Sequence, residues 1–160
     1  MKKNHPFEPV FDSASKILIL GTMPSIASVQ QGFYYMHPQN RFWKILSKIY
    51  ETDVYHASLE EKKHFLIMHH LAVYDVVSSC DIDQSKDDSI KDVEYADIRS
   101  ILNQSCIEKI LLNGKKAYQL FLKKYPEYNN IAYCLPSTSP ANAQIHLDEL
   151  VRIWQDALRV

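Results

Sequence analysis

Phe33-Tyr34-Tyr35-Met36-His37-Pro38-Gln39-Asn40-Arg41-Phe42-Trp43 places three aromatics, a His-Pro, an Asn-Arg and two further aromatics in eleven residues. Beyond it, Phe42, Ile45, Leu46, Ile49 and Tyr50 recur at i, i+3, i+4, i+7 and i+8, the spacing of one apolar helix face. Before it stands Ile17-Leu18-Ile19-Leu20, a continuous apolar run that reads as a strand buried on both faces. That strand ends in Gly21-Thr22-Met23-Pro24-Ser25. An aromatic and polar loop thus joins a strand's carboxyl end to a helix, which is where open α/β sheets bind ligands.

Working outward, residues 1–12 with Pro6 and Pro9 read as an irregular lead-in, and the first strand runs from about Lys16 to Leu20. A helix is predicted from about Asn40 to Tyr50. Ser58 and Glu61 form a capping box for a second helix carrying Leu59, Leu66 and Ile67. Leu71 to Val77 reads as a strand, and Ser78 to Glu94 as a polar, acidic excursion over the surface. A short helix follows over 95–104, a strand over 107–112 stopped by Asn113-Gly114, a helix over 115–125 and a strand over 131–135. The last helix buries Leu147, Leu150, Val151, Trp154 and Leu158. Alternating strands and helices predict a single α/β domain over 1–160, a three-layer sandwich with a four-stranded, mostly parallel central sheet and helices on both faces.

The 160 residues suffice for one domain with its own core. No apolar run approaches the roughly 20 residues of a membrane span, and the first residues lack a signal-peptide apolar segment. Cys80, Cys106 and Cys134 are far apart and form no C-x-x-C, which argues against disulfides and iron–sulfur ligation. A cytoplasmic monomer without cofactor or metal, away from membranes, is the expectation. The net charge of −1 hides segregation. From Ser13 to Tyr50 there is no acid and a charge of +4, whereas Glu51 to Glu108 holds 13 acids and 5 bases, net −8. Lys109 to Glu127 returns +4, and Tyr128 to Leu147 carries no Asp, Glu, Lys or Arg. A polyanion would meet the first loop and the late one and avoid the middle.

Gly21-Thr22-Met23-Pro24-Ser25 with His37-Pro38-Gln39-Asn40-Arg41-Phe42-Trp43 resembles the first motif region of the uracil-DNA glycosylase superfamily. The nearest branch is that of the hypoxanthine (deoxyinosine) DNA glycosylases, related to the mismatch-specific uracil enzymes. Leu135-Pro136-Ser137-Thr138-Ser139-Pro140-Ala141-Asn142-Ala143 stands where the superfamily has its second motif, and the match runs from about residue 16 to 160. The resemblance implies an enzyme acting on DNA in base-excision repair. It would flip out a deaminated base, hypoxanthine first and uracil second, and hydrolyse its N-glycosidic bond with water, leaving the strand uncut. No Lys stands within the motifs as a Schiff-base nucleophile. The alternatives are a lesion-binding protein with weak chemistry and an α/β hydrolase of free nucleosides.

The resemblance assigns Asn40 as the catalytic residue and a base pocket to Gly21, Thr22, Met23, Pro24, Tyr35 and His37, with Tyr35 as the stacking aromatic. It assigns DNA contacts to Ser25, Ser28, Arg41, Ser137, Thr138, Ser139 and Asn142. Met23 stands where the mismatch-specific enzymes carry a water-positioning Asn; a thioether cannot polarise water, which shifts the expectation from uracil toward hypoxanthine. The hypoxanthine branch relies instead on the Asn of H-P-x-N, which is Asn40. That branch also has a basic residue and a glycine near Ile82 and Gln84, so this chain departs from it there.

Local readings stand beside these. Asn40 occupies the position of a helix N-cap. His-Pro can simply shape a loop, and an exposed Arg41 would need no ligand. Ser139-Pro140 fits an N-cap followed by Pro at the first helical position. Asp75, at a strand end, is a structural residue or a base. His69-His70 has no partner at metal-ligand spacing, so no metal site is expected.

Overall fold

A computed structural model describes residues 2–81 and 91–159. In chain order these form β1 (Lys2–Asn4), β2 (Ile17–Gly21), α1 (Ile26–Gln31), α2 (Phe42–Ile49), α3 (Leu59–Met68), β3 (Leu71–Asp75), β4 (Val77–Asp81) and β5 (Lys91–Tyr95). Then come α4 (Ile98–Asn103), β6 (Lys109–Asn113), α5 (Lys115–Lys124), β7 (Ala132–Leu135) and α6 (Leu147–Ala157), with short 3-10 turns at Pro126–Tyr128 and Pro140–Asn142.

The central sheet has the order β3-β2-β6-β7, and every neighbouring pair is parallel. Alternation explains why β2 is apolar at every position. Ile17 and Ile19 point into one core with Phe42, Leu46, Phe65, Leu66, Leu150 and Trp154 of α2, α3 and α6. Leu18 and Leu20 point into a second core with Ile98, Ile101, Ala117 and Phe121 of α4 and α5. A strand between two helical layers has no solvent face, so neither side tolerates polar residues. The chain leaves β2 toward β3 on one side and then crosses to β6 and β7 on the other. The connections leaving the carboxyl ends of β2 and β6 therefore run to opposite sides, which makes this a switch point.

Several expectations need correction. The predicted strand over 71–77 breaks after Asp75, and Val77 opens a different sheet of order β1-β4-β5, antiparallel throughout. The lead-in is thus partly a strand, pairing Lys2 with Asp81 and Asn4 with Ser79. Much of the polar excursion is the β4–β5 pair; Ile82 and Gln84 lie outside the described residues. Helix α2 starts at Phe42 with Arg41 as the capping residue, so Asn40 is not its N-cap; its Oδ1 still accepts from the Phe42 N–H at 2.9 Å. Pro140 opens a 3-10 turn rather than the last helix, which begins at Leu147. The Ser58–Glu61 capping box is present as read.

The aromatic loop divides between core and surface. Phe33 and Tyr34 are buried, and the Trp43 indole N–H donates to the Tyr34 carbonyl at 2.9 Å. The Tyr34 hydroxyl donates to the Glu8 carbonyl at 2.8 Å. Trp154, packed edge-on against Phe42 with centroids 6.1 Å apart, donates its indole N–H to the Pro136 carbonyl at 3.1 Å. These two tryptophans anchor the loops on either side of the switch point.

Candidate functional site

A pocket of about 230 Å³ opens at the carboxyl ends of β2, β3, β6 and β7. It is lined by the Gly21–Ser25 turn, Ser28, Tyr34, Tyr35, Asn40, Asp75, Asn113 and Ser137 to Ser139. Eleven of the fourteen residues assigned from the sequence line it. His37, Arg41 and Asn142 do not.

Gly21 is what brings the floor together. A Cβ there would lie 2.6 Å from Asp75 Oδ1 and 3.0 Å from the Tyr35 hydroxyl. Only a residue without a side chain lets the β3 carboxyl and the loop tyrosine meet over β2. The other oxygen of Asp75, Oδ2, lies 2.7 Å from His5 Nε2, and both side chains are almost wholly buried, at 4% and 3% exposure. Burial pushes the Asp75 pKa up, while the His5 contact and the Gly21 amide pull it back.

Tyr35 has φ of 56°, the left-handed region that a bulky residue rarely adopts. Its ring packs on Phe42 at 4.2 Å, tilted 30°. Its hydroxyl is buried with no hydrogen-bond partner. Desolvation raises its pKa, followed by the Asp75 charge; Asn113 offsets this in part without reaching hydrogen-bond geometry. The Tyr35 hydroxyl is thus an unpartnered polar group on a left-handed backbone, beside a carboxylate in the pocket wall.

The opposite wall is a clamp. Asn113 Nδ2 donates to Thr138 Oγ1 and the Thr138 N–H donates to Asn113 Oδ1, both at 3.0 Å. The Arg41 N–H donates to the Thr138 carbonyl at 3.0 Å. The Arg41 guanidinium, expected on a phosphate, donates to the carbonyls of Ile145 at 2.5 Å, Asn142 at 2.8 Å and Ser139 at 3.4 Å. It holds the late loop against α2 from within. Asn142 Nδ2 in turn donates to the Ser137 carbonyl, and Asn142 faces a neighbouring groove of about 680 Å³ that shares Ser137 and Ser139 with the pocket. His37 shapes its own turn, with Nδ1 accepting from the Gln39 N–H at 3.1 Å.

Ser25 caps α1 by accepting from the Ser28 N–H, and buried Ser28 accepts the Met36 N–H on its own hydroxyl. Asn40 lines the pocket with Oδ1 engaged on the Phe42 N–H. Asn113 and His5 went unassigned in the sequence. Asn113 carried a usable signal, a polar residue ending a buried parallel strand at the sheet's ligand edge. His5 carried none. Among the described residues no group of three His, Cys, Asp or Glu is placed to hold a metal ion. No helix among them is long and apolar enough to cross a membrane.

A family model described as the uracil DNA glycosylase superfamily matches residues 8–158. A hypoxanthine DNA glycosylase of Methanosarcina barkeri (strain Fusaro / DSM 804) is 32% identical over 117 residues, 72% of this chain and 73% of the relative. One of Methanosarcina acetivorans is 30% identical over 139 residues, 85% of this chain and 86% of the relative. The solution NMR structure of a candidate uracil DNA glycosylase from M. acetivorans superposes with a TM-score of 0.83 at 25% identity, covering 99% of this chain and all of that one.

Proposed function

The chain belongs to the uracil DNA glycosylase superfamily and is a DNA glycosylase, and we propose that it excises deaminated bases, hypoxanthine before uracil, without cutting the strand. The observation that carries the choice of a deaminated base over adenine or cytosine is Asp75. The lactam edge of hypoxanthine offers an imino N–H beside a carbonyl oxygen, and uracil offers the same pair. Adenine and cytosine present an acceptor where the imino N–H would be. Whichever atom of the His5–Asp75 pair holds the shared proton, it lies between Nε2 and Oδ2, so Oδ1 faces the pocket as an acceptor. Oδ1 takes the imino N–H and turns away an acceptor edge.

The base enters between the Gly21–Pro24 turn and Tyr35, whose ring is backed by Phe42. As the N-glycosidic bond breaks, its electrons pass to the base and the sugar becomes oxocarbenium-like. Asn40 Nδ2 donates to the departing base or fixes the attacking water. Met23 supplies apolar wall and no polarisation. Ser137, Ser139 and Ser25 flank the pocket mouth, where they meet the DNA backbone. The protein acts as a monomer and needs no metal.

The decisive experiment incubates the pure protein, in EDTA, with labelled duplexes holding one inosine, uracil or xanthine. Alkali-labile sites should appear at inosine, more slowly at uracil, and no break should form without alkali. Breaks before alkali would overturn the monofunctional reading, uracil faster than inosine would overturn the base order, and no alkali-labile site at all would overturn excision.

A further inference from the structure

Among the described residues, one buried side-chain nitrogen or oxygen has no hydrogen-bond partner, and it is the Tyr35 hydroxyl. An unpaired buried hydroxyl costs stability, and so does the backbone that carries it, with φ of 56° in the left-handed region. Packing does not require the oxygen. The ring contact on Phe42, 4.2 Å between centroids, would be the same for a phenylalanine. The hydroxyl also stands where the edge of a base arrives. The point that a Gly21 Cβ would occupy lies 2.6 Å from Asp75 Oδ1 and 3.0 Å from the Tyr35 hydroxyl, so the two oxygens share the floor over the end of β2. Neighbouring polar groups are already engaged. Asn113 exchanges two hydrogen bonds with Thr138, and Ser28 accepts the Met36 N–H. The side chains of Met23 and Pro24 offer no donor. Burial and the Asp75 charge raise the Tyr35 pKa, so the hydroxyl keeps its proton at neutral pH.

Resting on the glycosylase reading, we propose that the Tyr35 hydroxyl donates to the carbonyl oxygen beside the imino N–H of the flipped base, O6 of hypoxanthine, and holds the negative charge that gathers there as the base departs. This task is separate from the stacking expected of the ring. In a lactam the imino N–H and the carbonyl oxygen sit on adjacent ring atoms. Asp75 Oδ1 takes the first and the Tyr35 O–H takes the second, so the edge is read at two points. Adenine fails at both, presenting an acceptor to Oδ1 and amino hydrogens to the hydroxyl. When the N-glycosidic bond breaks, its electron pair passes to the base and spreads onto O6. The water oxygen bonds to the sugar carbon and its proton leaves to solvent, while Tyr35 retains its own proton throughout. A donor already aimed at that oxygen in a buried site needs no reorganisation as the charge develops. The base thus supplies the partner that the hydroxyl lacks in the free protein.

The test compares wild type with Tyr35→Phe, which keeps the ring and removes the oxygen. Single-turnover excision is followed on duplexes holding inosine or 6-thioinosine, whose sulfur is a weak acceptor in the place of O6. Tyr35→Phe should lose about a hundredfold on inosine, the range for one preorganised donor. On 6-thioinosine it should stay close to the wild-type rate for that duplex. The free variant should melt at or above the wild-type temperature, because an unpaired buried hydroxyl has been removed. An inosine rate equal to wild type would overturn the donor role. Equal fold losses on both duplexes would overturn it too and assign the effect to the shape of the site. A lower melting temperature in the variant would show that the hydroxyl has a partner within the protein, which also sinks the proposal. Should wild type release no base from either duplex, the glycosylase reading itself fails and the donor role falls with it.

Discussion

His5 Nε2 lies 2.7 Å from Asp75 Oδ2, joining residues 70 positions apart in a buried pair beneath the pocket floor. Removing the imidazole leaves a buried carboxyl without its partner. His5→Ala should therefore cost about 1–3 kcal/mol of stability, the range for leaving a buried polar group unsatisfied. It should also slow excision. His5→Gln keeps an N–H donor and should recover most of the rate, so equal loss in both variants would dismiss the pairing as the cause. The pH dependence has a definite sign. Burial holds the Asp75 pKa above its unfolded value of 3.8. The stabilisation from the bound proton is therefore full below that value and is lost as pH rises through the folded pKa. Asp75→Asn has no such site, so its melting temperature relative to wild type should improve as pH rises from the unfolded value of 3.8 through the raised folded pKa. A constant difference would refute this.

Asn40 can be tested as loop anchor against catalyst, because its two side-chain atoms have separate tasks. Its Oδ1 already accepts the Phe42 N–H, a bond that Asn40→Asp can keep. The Asp variant loses only the Nδ2 donor. It should melt close to wild type, while Asn40→Ala loses the hydrogen bond from the Phe42 N–H, about 1 kcal/mol. If Nδ2 donates to the departing base, both should fall on the order of a hundredfold in single-turnover rate. A fully active Ala variant would remove Asn40 from the chemistry. An Asp variant as fast as wild type would leave it a water-orienting role.

Arg41→Ala should weaken DNA binding and lower the melting temperature together, because the guanidinium ties three carbonyls of the late loop to α2. Hydrogen bonds from a charged group contribute about 1.5–3 kcal/mol. Arg41→Lys cannot span the same acceptors and should recover little. A variant that loses affinity with no change in melting temperature would point back to a direct phosphate contact. Paired measurements of Kd and Tm decide it.

Gly21→Ala places a methyl 2.6 Å from Asp75 Oδ1, a clash that backbone movement must relieve. Overpacking of this kind costs about 1–3 kcal/mol. Excision should fall further than stability, since the displaced groups are Asp75 and Tyr35. Normal kinetics in a variant of lowered Tm would show that the floor tolerates the shift.

The strand alternation, helix periodicity and turn residues are local signals, and with them the four-stranded parallel sheet, its order of elements and the ligand edge were legible from residue types alone. β2 reads as a doubly buried strand because Ile17 to Leu20 are all apolar, whatever surrounds them. The motif strings likewise named most of the pocket wall. What remained hidden depends on contacts between distant residues. β1, three residues without apolar character, forms only because β4 lies opposite it. Arg41 looks like any surface cation until the loop 98 to 104 positions later folds over it. His5 becomes part of the floor only when the chain end is carried across to Asp75. Such roles follow from pairing geometry, and the free energy of a pair resides in neither residue alone, so only the tertiary structure decided them.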